Sequence, residues 1–588
     1  MSLLTQCIRS DPEYAQLLRV AQRNFRENPL PILASGLCDG ASDAFLVSLI
    51  EDTREVRRGT PALILCPEEK DCVRLLAILE NSGLRTSFYL SRDLTFYNIT
   101  ASHEYEHERL RVLHGLLLGD YDAVVTTPDA ALGYTTPPKR LSESILSVDT
   151  ATCVSPTELA SKLISAGYVR VDQVDSPGQF AMRGGILDVF PPHGRFEDAD
   201  GGDRTGAFAL RIEFFGDDID RMGLFDPDTQ RMTESVERAS FPPARELLPD
   251  QEALTSLKKA LTAQIKGTSD ERALEELLKE SAAVDGAMSG SRELHFLDKY
   301  ITLIYPERTS LLDYFPNRTL VAIKGTNAIY DRIKASEWHL SQTVTELLAG
   351  GTIAPKYTDY AKSAAAFDCF CDANVTLHAD SIAHSVSDKR LSGLFGFRTR
   401  HTVSYVENEE LFLEDLSGYV QSGYRALVLT ENEPAAKSAE ELLRTHGFVV
   451  CPEAENASLM ERGTVSVLWK SAIAGFELPV PKFVILSFGI DSRAGSLSLS
   501  GRSTTARKRK KKNTKSILSY AELENGDYVV HETYGIGRYT GIETLTCEGI
   551  TRDYIGIQYA GSDKLFVPVE KLEKVSKYIG AHSDDGLV

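Results

Sequence analysis

At 588 residues and 64.8 kDa the chain exceeds the ~250–300 residues at which one hydrophobic core stops growing, so at least three folded units are expected. A composition of 42% hydrophobic and 25% charged residues is that of a globular protein, and no stretch approaches the ~18 uninterrupted apolar residues of a membrane span. The formal charge is −20, yet residues 502–515 (RSTTARKRKKKNTK) carry eight positive charges and no acid, leaving −28 on the remainder. Such a body repels a polyphosphate backbone, which excludes autonomous duplex binding by most of its surface.

The opening residues, MSLLTQCIRSDPEYAQ, lack the basic-then-apolar order of a secretory signal, and the chain reads as cytoplasmic. Through residue 148 short buried strands alternate with amphipathic helices. Ala62–Cys66 is a continuous apolar strand ending at Pro67, and Glu69–Ser82 has apolar residues at helical spacing and stops at Gly83. Residues 103–119 read as helix, 122–127 as strand, and Pro128 opens another helix at its first turn. This alternation predicts a parallel sheet covered by helices. From 149 to 240 strands with Gly and Pro punctuation predict a mainly β insert. Helical patterning returns in 251–285 and 327–348, and the strand between them, Leu320–Ile323, is placed to rejoin the first sheet. Residues 399–495 form a further α/β unit, 496–516 a Ser-rich basic flexible linker, and 517–588 short strands suited to a small closed barrel.

An α/β domain that starts on a strand raises the question of a phosphate loop. The segment from Leu33 to Asp43 sits between a strand and a helix expected from Ala44, but a phosphate-cradling loop needs GxxxxGK[ST]. Ser42 and Asp43 stand where the Lys and Ser/Thr belong, Asp39 and Asp43 would repel a triphosphate, and Lys324-Gly325 follows the strand where an acidic pair is required. The chain is therefore expected to bind no nucleotide cofactor and to carry no catalytic activity. His103, Glu104 and His107 match a zinc-protease HExxH motif literally, but the surrounding charges favour a solvated helix face, and no metal is expected. The nine cysteines are scattered, with neither a zinc pattern nor a disulfide framework.

Three ordered blocks then become recognisable: YVRVDQVDSPGQFAMRGGILDVFPP, LRIEFFGDDIDRMGLFDPDTQR and FPPARELLP. They resemble the excision-repair protein UvrB and, more closely, the family of transcription-repair coupling factors. The C-terminal blocks GDYVVHETYGIGRYTGIETL and RDYIGIQYAGSDKLFVPVEKLEKVSKYIG favour the latter, because they resemble that family's RNA polymerase-interacting domain. The resemblance implies a multi-domain α/β plus β fold. A UvrB-like, degenerate P-loop-like α/β domain spans 1–148 and 241–398 and is split by a UvrA-binding β domain over 149–240. A third α/β domain of uncertain role covers 399–495, and a Tudor/SH3-like barrel that docks on the polymerase β subunit covers 517–588. It implies the front half of a larger ATP-driven translocase, with the motor domains absent and the UvrA-binding face unmasked. The alternative is a UvrB-like repair protein that binds ATP and damaged DNA.

By the same resemblance Arg170 and Arg183 contact UvrA, and their planar guanidinium forks suit carboxylates on a partner. Leu187 is placed on the face of Arg183 as an apolar neighbour, with Phe190 on the opposite, core-facing side. Pairing of both arginines with Asp172 or Asp175 is the plainer reading. Leu545 matches a polymerase-contacting position, anchoring a strand added to a sheet edge, against the alternative of a barrel-interior leucine. Arg507, Lys508, Arg509, Lys510, Lys511 and Lys512 are either a weak DNA contact or a solvated tether. The chain is expected to be monomeric.

Overall fold

Strands buried on both faces need apolar residues throughout, and Ala62–Leu65 (ALIL) and Ala123–Thr126 (AVVT) meet that need with every residue buried. The computed structural model describes residues 3–27, 29–92, 104–151, 153–198, 201–288, 294, 296–383, 390–405, 408–451, 460–469 and 473–489. It also describes the strands 514–516, 528–531, 535–547, 550–558, 564–568 and 575–578. Two compact units, Met1–Ser498 and Leu499–Val588, divide the chain.

The first unit is built on a seven-stranded sheet in the order Gly393–Gly396, Ile32–Ser35, Val375–Ala379, Leu320–Lys324, Ala62–Leu65, Ala123–Thr126, Thr86–Tyr89. Every neighbouring pair is parallel. Leu320–Lys324 therefore rejoins the sheet across an intervening insert. The two-residue period sorts side chains between two cores. Ile64, Val125, Ala322 and Leu377 join Phe45, Leu46 and Leu79 on one face, while Leu63, Val124, Val321 and Ile323 meet Leu113, Ile329 and Phe367 on the other. The helix after the first strand begins at Asp39, five residues before its sequence-expected start, because the acidic first turn suits the helix N-terminus.

Residues 146–241 form a nine-stranded sheet that is antiparallel apart from the pairing of Val169–Arg170 with Gln179–Arg183. Of the expected strand YVRVDQV only Val169–Arg170 is extended in the sheet. Helices Gln251–Gly267 and Glu271–Met288 pack as a pair, and the Asp250 side chain caps the first by accepting from the Ala253 amide. A third sheet, in the order Arg400–His401, Phe476–Leu478, Phe483–Phe488, Arg425–Thr430, Val465–Trp469, carries the helices Glu409–Gln421 and Asn432-capped Glu433–Thr445.

The second unit holds a six-stranded antiparallel sheet ordered Thr514–Ser516, Val575–Tyr578, Tyr528–His531, Gly535–Cys547, Ile550–Gln558, Lys564–Pro568. Thr514–Ser516 is extended and paired, so the flexible linker expected through 516 gives way to a strand at its end. Among the described residues no helix is long and apolar enough to cross a membrane.

Candidate functional site

The strands Gln179–Arg183 and Ile186–Phe190 form a tight hairpin, with Gly184 at φ +61° in the turn. Its register pairs Arg183 with Ile186 and Met182 with Leu187. Directly paired residues share a face, so Leu187 lies opposite Arg183, and it is fully buried in the module's core with Phe180, Leu210 and Ile212. This corrects the sequence reading: counting alternation through the turn reversed the faces. Phe190 instead lies on the Arg183 side, half-buried over a small cluster with Val174, Ala181 and Phe225.

The face that Arg183 does occupy continues across the sheet. Ile186 pairs with Glu213 on the next strand, Glu213 pairs with Arg221 on the one after, and Phe215 follows Glu213 by two residues. Phe215 is 83% exposed and Ile186 39% exposed, an apolar pair beside two exposed arginines. Further along the same face Arg211 grips Asp188 through two bonds of 2.7 and 2.8 Å and stacks on Phe225, which stiffens the sheet beside the patch. Arg183 donates to the Asp172 backbone carbonyl, and among the described residues neither Arg183 nor Arg170 has a carboxylate within ion-pair distance. The expectation that Asp172 or Asp175 neutralises them is thus not met. Arg170 pairs with Phe180 and so lies on the other face, at the exposed edge of the sheet. Sequence reading missed Ile186, Phe215 and Arg221. The available signal for Phe215 was an aromatic next to Gly216, too common at hairpin ends to single out.

The module is fastened to the α/β body by the strap 242–248. Glu246 is fully buried and takes Arg109 through bonds of 2.9 and 3.0 Å, with Arg92 at 3.3 Å. Thr135 also donates to its carboxylate. Burial alone would raise this carboxyl, but the Arg109 and Arg92 cations outweigh it and hold Glu246 below its ordinary range. Arg109 also lies 4.3 Å from the Tyr89 ring centroid and donates to the Leu90 carbonyl. Glu106 adds an ion pair to Arg245 and accepts the Glu246 amide. Beside this seam His114 and His193 meet edge to face at 5.9 Å, with both nitrogens of His114 buried and without a hydrogen-bond partner.

At the carboxyl ends of the central strands, where open parallel sheets take ligands, the residues are ill-suited to phosphate. Lys324 is buried and ion-paired with buried Asp43, and Arg74 lies 3.3 Å from the same carboxylate. A shallow groove of about 690 Å³ nearby is lined by Glu68, Glu69 and Asp331 against Lys70 and Arg332. Of the literal HExxH match, Glu104 and His107 lie on the helix Glu104–Leu118, whereas His103 lies outside the described residues. Among the described residues no group of three or more His, Cys, Asp and Glu side chains is placed to hold a metal ion.

In the second unit, Leu545 lies on the strand Gly535–Cys547 and pairs with Arg552. Residues 542–547 pair only with 550–555, because Tyr528–His531 covers the same strand only from Gly535 to Arg538. Among the described residues this hairpin end thus offers an open backbone edge. Arg507 to Lys512 lie outside the described residues.

Comparison with known proteins fits this anatomy. The UvrB interaction domain family matches residues 146–247, the nine-stranded module with its strap, and the CarD-like/TRCF RID domain family matches residues 523–579. The transcription-repair-coupling factor of Bacillus subtilis is 28% identical over 567 residues, covering 94% of this chain and 45% of that protein. Over most of its length the chain is thus similar to transcription-repair-coupling factors, and it matches two domain families. The corresponding Staphylococcus epidermidis protein (strain RP62A) is 26% identical over 494 residues, and that of Staphylococcus aureus (strain MRSA252) is 24% identical over 489. Each alignment covers 82% of this chain and 40% of the relative. The chain spans less than half the length of these relatives.

Proposed function

We propose that this chain is a non-catalytic adaptor of transcription-coupled nucleotide excision repair, which binds the RNA polymerase β subunit and recruits UvrA to stalled transcription complexes. The observation that carries the reading is the presence, in one chain, of a UvrB interaction domain and a TRCF-type RID domain in separate compact units. The Arg183, Ile186 and Phe215 face is suited to a partner that offers carboxylates around an apolar centre, with Arg170 at the module's edge extending the contact. Arginine and aromatic residues dominate binding energy where they are desolvated together. The open edge at 542–547 suits strand addition by the β subunit, with Leu545 as the apolar anchor of a Tudor/SH3-like barrel.

Nucleotide hydrolysis belongs, in this reading, to parts of the family's longer proteins outside this chain. The ion pair at Asp43 and Lys324 supports it, because a P-loop-like site needs a hydroxyl and an acid at those positions to hold magnesium. The basic run Arg507–Lys512 acts as a tether with at most weak DNA contact, and the chain works as a monomer. Co-sedimentation tests the proposal. UvrA and the polymerase β subunit are expected to migrate together only when this chain is present, with no crosslinking of radiolabelled ATP to it. Failure to bridge the two, or ATP crosslinking to the chain, would overturn the adaptor reading in favour of a UvrB-like ATP- and DNA-binding protein.

A further inference from the structure

The α/β unit spanning 400–489 matches neither of the two domain families found in the chain, and its packing gives it a role. In open parallel sheets the ligand sits outside the carboxyl ends of the strands, at the helix that follows the first strand. Here that ground is already occupied. Gly36, at φ +78°, leaves no room for a side chain, because a Cβ there would overlap the Phe397 carbonyl oxygen; at Gly40 a Cβ would overlap the Ala474 carbonyl oxygen. Both glycines thus admit a close approach of backbone, the service such loops normally give to a pyrophosphate, but the approaching backbone is the chain's own.

The polar groups are matched in the same way. The Cys38 amide donates to Thr399 Oγ1 at 2.8 Å, and the Thr399 hydroxyl donates on to the Gly36 carbonyl at 2.7 Å. Asp380 places a carboxylate at the N-terminus of the helix Thr326–Ala349, accepting from the Thr326 amide at 2.7 Å and its hydroxyl at 2.8 Å, where a phosphate would otherwise find donors. In nucleotide-binding relatives of this architecture magnesium bridges the hydroxyl after the loop lysine and the acid at the end of the neighbouring strand. Those positions hold Asp43 and Lys324, so a resident ammonium takes the place of the metal and a carboxylate that of its hydroxyl ligand. Burial opposes the charge on Lys324, but Asp43 outweighs it and keeps the ammonium above its ordinary value. Leu37, Cys38, Ala41 and Phe45 then share one continuous core with Phe397, Ile473, Phe476 and Phe483.

We propose that the unit 400–489, with the strand Gly393–Gly396 that leads into it, is an intramolecular cap that seals the ligand edge of the seven-stranded sheet, holding the loop and first helical turn 36–42 in one closed state. The sheet becomes a rigid mount for the β module rather than a nucleotide-driven switch. The inference rests on packing within the first unit and not on the identity of any partner.

Hydrogen–deuterium exchange on the full chain tests it. Gly40→Val should raise exchange at least tenfold in 36–42 and in 473–478, while amides of 179–225 keep wild-type protection. Unchanged exchange at 473–478 would overturn the cap. If that substitution unfolds the unit, Thr399→Val removes only the bridging hydroxyl and is read the same way, with loosening of 36–38 as the supporting result and unchanged exchange as the opposing one. A second assay restores metal-binding residue types with Asp43→Ser and Lys324→Asp together and titrates a fluorescent ATP analogue with magnesium. The sealed edge should still bind none. Saturable binding by this variant alone would overturn the cap and leave the adaptor reading standing, whereas binding by the wild type would contradict both.

Discussion

Arg183 shows how far a single residue can be read from sequence. Its place beside Gly184 and Gly185 was legible, whereas a role in recognition was implied only by the family resemblance. Its neighbours were not legible. The hairpin turn Gly184-Gly185 breaks the two-residue alternation, so Leu187 turned inward and Ile186 and Phe215 took the outer face. Phe215→Ala is therefore expected to weaken UvrA binding about tenfold while leaving the fold unchanged, as 83% of the residue is already in water. Calorimetric titration checks this, and unchanged affinity would remove Phe215 from the patch. The His114 and His193 pair makes a different residue-scale statement. Burial, then the Arg195 cation, lowers His114 to about 4; burial, then Arg111 and its His114 and Arg195 neighbours, lowers His193 to about 3. Unfolded imidazoles titrate near ~6.5, so the unfolded chain binds these protons first. Stability contributed by the neutral pair is present above about pH 6.5 and lost as pH falls toward their folded values. Thermal melts between pH 7.5 and 4.5 should show an acid limb that flattens in the His114→Leu, His193→Leu variant. An equally steep limb in that variant would assign the acid sensitivity elsewhere.

Elements were more legible than contacts. Continuous apolar runs such as ALIL and AVVT announce strands buried on both faces, and Pro128 and Asp250 mark helix starts, because these signals are local. The strap 242–248 is the counterexample. Its sequence, PPARELL, shows neither helical nor strand period, and its packing depends on Arg109, Arg92 and Thr135, which are more than a hundred residues away. Glu246→Gln would leave the buried Arg109 guanidinium short of its counter-charge, while Arg92 keeps Asp298, at a cost of about 3 kcal/mol. Calorimetry of the full chain should show the first unit melting at a lower temperature; an unmoved transition would mean that the strap is not what joins the module to the body. The hairpin that carries Leu545 projects beyond its neighbouring strand on one side, a feature set by register and thus invisible to composition. Leu545→Arg should abolish β-subunit binding with the circular dichroism spectrum retained, whereas loss of folding would place Leu545 in the interior.

At the scale of the molecule, the charge of −20 and the single basic run already set an acidic body apart from one cationic segment. The parallel sheet and the rejoining strand Leu320–Lys324 followed from alternation of strand and helix, while the closure of its ligand edge did not, since residues 397–399 and 474 reach Gly36 and Gly40 from hundreds of residues away. The missing phosphate-loop lysine was legible in the sequence, whereas the buried Asp43–Lys324 ion pair at the corresponding positions was not. The most direct test of the adaptor account is a titration of UvrA against the intact chain and its Arg183→Ala variant. Saturable binding by the wild type without added nucleotide, weakened about thirtyfold in the variant, is expected, as befits a desolvated arginine worth about 2 kcal/mol. Absence of binding by the wild type, or equal affinity of the two proteins, would contradict it.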